Sequence, residues 1–213
     1  MIGHHLKMVA FFRDIISPIL QAMQDRQKII IITAPSGAGK STITKFLLNK
    51  YPQLAFSISA TTRLPRGIEQ HGVEYYFLTE QAFTEKIHAD DFIEWEMVYA
   101  GKYYGTLKSE VNRIWDNHQY PILDIDVKGA MHVMQLYPKK YLSIFINVPS
   151  IEILKKRLMQ RGTETDGTIA TRIEKAAYEI SHQHHFNHVI MNDELSKACA
   201  DAEALVKNFL DKQ

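Results

Sequence analysis

KIIIITAPSGAGKST, residues 28–42, is the stretch from which the rest of the chain can be read. Four consecutive isoleucines, Ile29 to Ile32, make a run of β-branched residues too short to span a membrane, and it reads as a fully buried strand. The sequence A-x-x-x-x-G-K-S follows, a phosphate-binding loop pattern in which Ala34 stands where the pattern opens with glycine. Gly37 and Gly39 let the backbone turn so that successive N–H groups point inward at phosphate oxygens. Lys40 adds a mobile cation for β- and γ-phosphates. Ser41 offers a hydroxyl to Mg²⁺ and opens a helix whose N-terminal dipole favours the same anions. The expected phosphate cradle is therefore Ala34, Pro35, Ser36, Gly37, Ala38, Gly39, Lys40, Ser41 and Thr42.

Composition sets the frame around that loop. A chain of 213 residues with 46% hydrophobic content forms one domain, or a core with small inserted lobes. A net charge of +1 argues against bulk nucleic-acid binding, so any anion site must be local. The single cysteine, Cys199, excludes an internal disulfide, fits a reducing, cytoplasmic setting, and falls in a late helical pattern where packing explains it. Residues 1–27 contain apolar stretches interrupted by Arg13 and Asp14. That segment is too short and too charged to cross a membrane, and no small-residue cleavage site follows. It is expected to be a helical extension peripheral to the chemistry, or an addition from an upstream start with Met8 and Met23 as alternatives.

Beyond the loop, residues 42–51 carry Ile43, Phe46 and Leu47 at helical spacing, and Pro52 follows. Residues 55–59 alternate as a short strand. Residues 60–72, with Pro65, Gly67 and Gly72, read as a loop carrying Arg63 and Arg66. Residues 73–78 and 92–99 are strand-like, with a helix over 79–90 between them. The helical patterns at 107–118, 128–137, 151–161, 169–182 and 195–210 alternate with apolar strand patterns at 121–126, 141–148 and 188–191. Such alternation implies a mostly parallel sheet with helices on both faces. Right-handed crossovers place the phosphate loop at the carboxyl edge of that sheet.

Two further groups carry chemistry. Asp124 and Asp126 stand two apart at a strand end, so they are expected to project from one face and to give Mg²⁺ a second anchor, often through water. Arg63 and Arg66, with Tyr75 and Tyr104, form a candidate second anion site, because two guanidiniums can grip one phosphate and tyrosine hydroxyls complete the shell. His182, His184, His185 and His188 lack an accompanying cysteine or spaced acid, and they read as a polar helix end rather than a metal site.

From Lys28 onward the chain resembles guanylate kinase. The carrying stretches are SATTRLPR at 59–66, GVEYYFL at 72–78, FIEW at 92–95, YYGT at 103–106, ILDID at 122–126, KKRLMQRGTET at 155–165 and VIMND at 189–193. The resemblance implies an α/β fold of three parts. These are a P-loop NTPase-type parallel-sheet core (28–58 and 107–213), an inserted mixed α/β GMP-binding lobe (59–106) and a helical lid (about 157–172). It implies phosphoryl transfer from ATP to GMP with Mg²⁺, giving ADP and GDP. Arg63, Arg66, Tyr75 and Tyr104 would hold the GMP phosphate, Ser59, Glu94, Thr106 and Asp126 would surround the guanine, and Gly105 would border the same site. Arg157, Arg161 and Arg172 match lid arginines that, with Lys40, neutralise charge on the transferring group, and Asn192 matches a position near the adenine. Lys128 stands where the family more often has glutamine.

Hydrogen-bond chemistry supports the guanine placement that the resemblance implies. Guanine presents two donors, N1–H and N2–H, beside the O6 acceptor. An ionised carboxylate such as Glu94 accepts only, and a hydroxyl from Ser59 or Thr106 can donate to O6. Adenine would face Glu94 with a lone pair. The alternatives are a kinase of this architecture acting on another monophosphate, or a non-catalytic guanylate-kinase-like binding module. The intact loop and the lid arginines argue against the second. Oligomeric state is not legible in the sequence.

Overall fold

The computed structural model describes residues 27–160 and 166–211. The expectations placed on residues 1–26 and on Arg161 lie outside the described residues. The isoleucine run is strand β1 (Ile29–Thr33), and every one of its residues is fully buried. Its alternation explains why it has no polar face. Ile30 and Ile32 belong to one core cluster, with Ile43 and Leu47 of α1 (Lys40–Lys50) and Ala198, Ala202 and Val206 of α7 (Leu195–Asp211). Ile29 and Ile31 belong to the other, with Val111 of α3 (Lys108–Asp116) and Val127, Ala130 and Val133 of α4 (Val127–Leu136). A strand buried on both faces must be apolar throughout.

β1 is the middle strand of a five-stranded sheet. It pairs in parallel with β7 (Tyr120–Asp124) and β8 (Tyr141–Asn147), and β2 (Leu54–Phe56) and β9 (His188–Met191) flank these two. A second, four-stranded sheet is built from β3 (Ala60–Thr61), β4 (Tyr76–Phe77), β5 (Phe92–Tyr99) and β6 (Lys102–Leu107), in the order β4-β3-β6-β5. Helix α2 (Glu80–His88) covers it through Phe83, which stacks on Phe92 at 4.5 Å. The Thr79 side chain caps that helix by accepting from the Ala82 N–H at 3.1 Å. Helices α5 (Ile151–Gln160) and α6 (Asp166–Ser181) complete the described chain. Ser150 Oγ caps α5 by accepting from the Ile153 N–H at 3.3 Å.

Four expectations need correction. The strand expected at 55–59 ends at Phe56, because the Ser57 N–H still reaches Ile122 O but the Ile58 N–H turns to Glu110. The strand expected at 73–78 reduces to Tyr76–Phe77, because its partner β3 offers only two residues. The helix expected from 107 begins at Lys108, because Leu107 still pairs with Phe92 in β6. Asp126 does not share a strand face with Asp124. β7 stops at Asp124, and Asp126 caps α4, its Oδ1 accepting from the Gly129 N–H at 3.0 Å. Cys199 is buried in the core, as a packing residue would be.

Candidate active site

β1 runs directly into the phosphate loop. Ala34 is buried in the core cluster with Ile30 and Ile32, so the methyl that departs from the usual glycine has a packing role. Gly37 and Gly39 adopt φ of 95° and 97°, which L side chains rarely tolerate. Gly39 is doubly constrained, since a Cβ there would collide with Nδ2 of Asn192. That Nδ2 donates to the Ala38 carbonyl at 2.7 Å, and the guanidinium of Arg157 donates to the Asn192 carbonyl at 2.9 Å. Asn192 and Arg157 thus brace the loop from the β9 side, and neither lines the cleft in front of it. Arg172, on α6, does line the cleft, and its guanidinium donates to Ser36 Oγ of the loop.

The cleft, of about 310 Å³, is shared by two sets of residues. The core contributes the loop from Ala34 to Ser41, together with Asp124, Asp126, Arg172, Lys175 and Glu179, although Ala38 packs behind the loop. The second sheet contributes Ser59, Arg63, Arg66, Tyr75, Glu94, Glu96, Tyr104 and Gly105. Lys40 is ion-paired with Asp124. Burial works to lower the Lys40 pKa, but the Asp124 carboxylate outweighs it, and the net direction is upward. Lys175 Nζ stands 3.9 Å from Asp126 Oδ2 and 3.7 Å from Glu179 Oε1. Burial drives the Glu179 carboxyl up to about 7, against the pull of Lys175 and Lys40.

On the facing side, Arg63 is held in a fixed fork. Its two terminal nitrogens donate to Glu69 at 2.6 and 2.7 Å, NH1 also donates to the Leu64 carbonyl, and the guanidinium lies 4.8 Å from the Tyr75 ring centroid. The hydrogen-bonded Glu69 carboxylate raises the Arg63 pKa further. The Tyr75 and Tyr104 rings meet edge to face at 6.0 Å. Glu94 is only 6% exposed. Its Oε1 accepts from the Thr106 hydroxyl at 2.5 Å, and its Oε2 packs against Gly129, where an added Cβ would displace it. Burial, opposed by the Thr106 hydrogen bond and aided by the charge of Asp126, pushes its carboxyl up to about 7. Thr106 is buried behind Glu94 and does not line the cleft itself.

Lys40, Arg172 and Lys175 of the core and Arg63 and Arg66 of the second unit therefore line one cleft, beside a buried carboxyl. A guanylate kinase family model matches residues 26–209. The chain belongs to the guanylate kinase family. It is 47% identical over 186 residues to a guanylate kinase of Bacteroides thetaiotaomicron, covering 87% of this chain and 91% of that protein. It is also 47% identical to one from Porphyromonas gingivalis, covering 99% of that protein. The crystal structure of guanylate kinase from Anaplasma phagocytophilum superposes with a TM-score of 0.71 at 27% identity, covering 87% of each chain. Family membership and the mixed α/β architecture expected from the sequence agree.

Several residues that shape this guanylate kinase cleft lie outside the family stretches recognised in the sequence. Glu69 fixes Arg63, and its second oxygen also accepts from the Arg66 backbone N–H at 2.8 Å. Glu110, 2% exposed, accepts from the Ile58 N–H, the Tyr76 hydroxyl and both Nε and NH2 of Arg113, all within 3.1 Å. Burial works to raise its pKa, but those donors hold it low. It joins the second sheet to the core where the chain passes between them. Lys175 and Glu179 are four apart on α6, a spacing that signals only a shared helix face. His182 sits at the end of α6, with Nδ1 2.9 Å from the Tyr178 carbonyl and its ring beside Tyr178 and His185.

Proposed function

We propose that this protein transfers the terminal phosphoryl group of ATP to GMP, giving ADP and GDP. One observation carries the reading: Lys40 and the phosphate loop share a single cleft with Arg63, Arg66, Tyr75 and the buried carboxyl of Glu94. The loop, Lys40 and Ser41 hold the ATP phosphates. Arg63, Arg66, Tyr75 and Tyr104 hold the GMP phosphate, and residues 59–106 act as the acceptor lobe. Glu94 in its ionised form accepts from guanine N1–H and N2–H, Ser59 donates to O6, and Asp126 and Gly105 border the base. Adenine leaves Glu94 facing a lone pair, and a buried polar group left unpaired makes rejection strong.

Mg²⁺ enters with ATP as substrate. Ser41 and Asp124 offer hard oxygen donors at the cleft, the ligand type Mg²⁺ takes. Held there, Mg²⁺ would supply positive charge to neutralise the phosphate oxygens. Lys40 exchanges its Asp124 partner for phosphate oxygens when ATP arrives, and Arg172 exchanges Ser36 in the same way. The nucleophile is a GMP phosphate oxygen, anionic at neutral pH, so no general base is required. Catalysis is positioning together with charge neutralisation. Arg157 and Asn192 act by bracing the loop. A cytoplasmic setting fits the substrates and the single buried thiol.

Purified protein with Mg-ATP and a panel of GMP, AMP, CMP and UMP, followed by coupled ADP release, tests the proposal. GMP is expected to support turnover at least a hundredfold above the others. ADP release that ignores the acceptor, or that another monophosphate supports equally, would remove the assignment.

A further inference from the structure

Strand β5 is regular between Glu94 and Met97. Glu94 pairs with Thr106, Trp95 with Gly105, Glu96 with Tyr104 and Met97 with Tyr103, and the register shifts fall only outside that run. Side chains alternate along a regular strand, so Glu94 and Glu96 share one face with Thr106 and Tyr104. The opposite face presents Trp95 and Met97 to solvent at 42% and 54% exposure. Two acids, their Cα atoms about 7 Å apart, therefore share the cleft side of the strand. Glu94 is buried opposite Thr106, and Glu96 is half-buried opposite Tyr104 at the cleft wall.

The two differ in their partners. Glu94 is satisfied by Thr106. The Glu96 carboxylate makes no hydrogen bond or ion pair among the described residues, although it borders both the cleft and the adjoining groove lined by Asp126 and Lys175. A nucleoside monophosphate occupies this wall in the order base, sugar, phosphate. With the base at the Glu94–Thr106 rung and the phosphate at Arg63, Tyr75 and the Tyr104 hydroxyl, the sugar lies at the level of the next rung, that of Glu96. A carboxylate only accepts, and what a ribose offers there is a hydroxyl donor.

We propose that Glu96 accepts a hydrogen bond from the ribose 2′-hydroxyl of the acceptor nucleotide and thereby sets the preference for GMP over dGMP. The proposal rests on GMP being the acceptor and adds the sugar to the recognised parts of that substrate. It gives Glu96 a role that neither the phosphate loop nor the guanine contacts require.

The test compares kcat/KM for GMP and dGMP in the wild type, Glu96→Ala and Glu96→Gln. The wild type is expected to favour GMP by about 10- to 100-fold, the size of one hydrogen bond to a charged group. Glu96→Ala should bring the ratio to within about threefold of unity, the fall being concentrated on GMP and on its KM. Glu96→Gln should fall between the two, because the amide oxygen still accepts. Turnover of dGMP by each variant shows that it is folded. An unchanged GMP-to-dGMP ratio in Glu96→Ala, or a loss shared equally by both substrates, would overturn the sugar contact while leaving the GMP assignment intact. Wild-type protein that phosphorylates neither would overturn both.

Discussion

Replacing Glu94 by glutamine should stabilise the ligand-free protein at alkaline pH and leave it nearly unaffected at acidic pH. The carboxyl is 6% exposed, and burial, against the Thr106 hydrogen bond, displaces it from an ordinary value of 4.5 to about 7. Well below 4.5 the side chain is protonated both folded and unfolded, and folding carries no penalty from it. As the pH rises from 4.5 through about 7, the unfolded chain releases a proton that the folded chain retains, so stability falls. At about 1.4 kcal/mol per pH unit, the full penalty is about 3 kcal/mol, and about 2–3 kcal/mol of it develops between pH 5 and 8.5. Glutamine keeps an oxygen to accept from Thr106 but has no proton to lose. Urea unfolding of both proteins at pH 5, 6, 7 and 8.5 should show the stability of Glu94→Gln relative to wild type growing by that amount. Comparing one difference across pH cancels any constant packing effect of the amide, and it separates Glu94 from Glu179, which titrates in the same range. The same logic applies to the substrate. GMP needs the ionised form, so at pH 6 its binding to the wild type should release close to one proton from this carboxyl, read as buffer-dependent heat in calorimetry. Glu94→Gln should lose that proton, leaving only the release from the GMP phosphate itself, whose second pKa is about 6, and should erode the preference for GMP over AMP. A stability difference that does not change with pH would refute the reasoning.

Three other perturbations follow from the geometry. Lys40→Ala should lower turnover by about 10²–10³-fold, the scale of removing one preorganised donor, and steady-state kinetics near the wild-type rate would contradict its role. Gly39→Ala forces an L side chain to φ of 97° and into Asn192, so calorimetry should find ATP binding weakened at least tenfold and GMP binding retained. Glu110→Ala leaves the Ile58 N–H and the Tyr76 hydroxyl without their acceptor beneath the second sheet, and chemical denaturation should record a loss of about 2–3 kcal/mol.

The parts of the molecule that lie in one contiguous stretch were legible in its sequence. The isoleucine strand, the glycine turn and the helix after it follow from local rules, and strands alternating with helices gave the parallel sheet. The residues of the second sheet were legible in part: the paired arginines and tyrosines suggested an anion site from their chemistry, whereas Glu94 was singled out only through the family stretches, because a lone acid on a strand carries no signal of its own. Asp126 was misplaced because I-L-D-I-D looks like one alternating strand, whereas an Asp three residues before the glycine at 129 is also a helix cap. Lys175, Glu179, Glu69 and Glu110 were missed for a different reason. Each is an ordinary surface-type residue until the chain folds. Glu110 acquires its meaning from Ile58, fifty-two residues away in sequence, a pairing that no local pattern encodes.

The most direct measurement follows the phosphorus itself. With [γ-³²P]ATP, Mg²⁺ and GMP, the label is predicted to appear in GDP, with inorganic phosphate a minor product and no transfer in the Lys40→Ala variant beyond about one part in a hundred. Label that accumulates as inorganic phosphate, or that stays in ATP while GMP remains unchanged, would contradict the account of one cleft joining two nucleotides end to end.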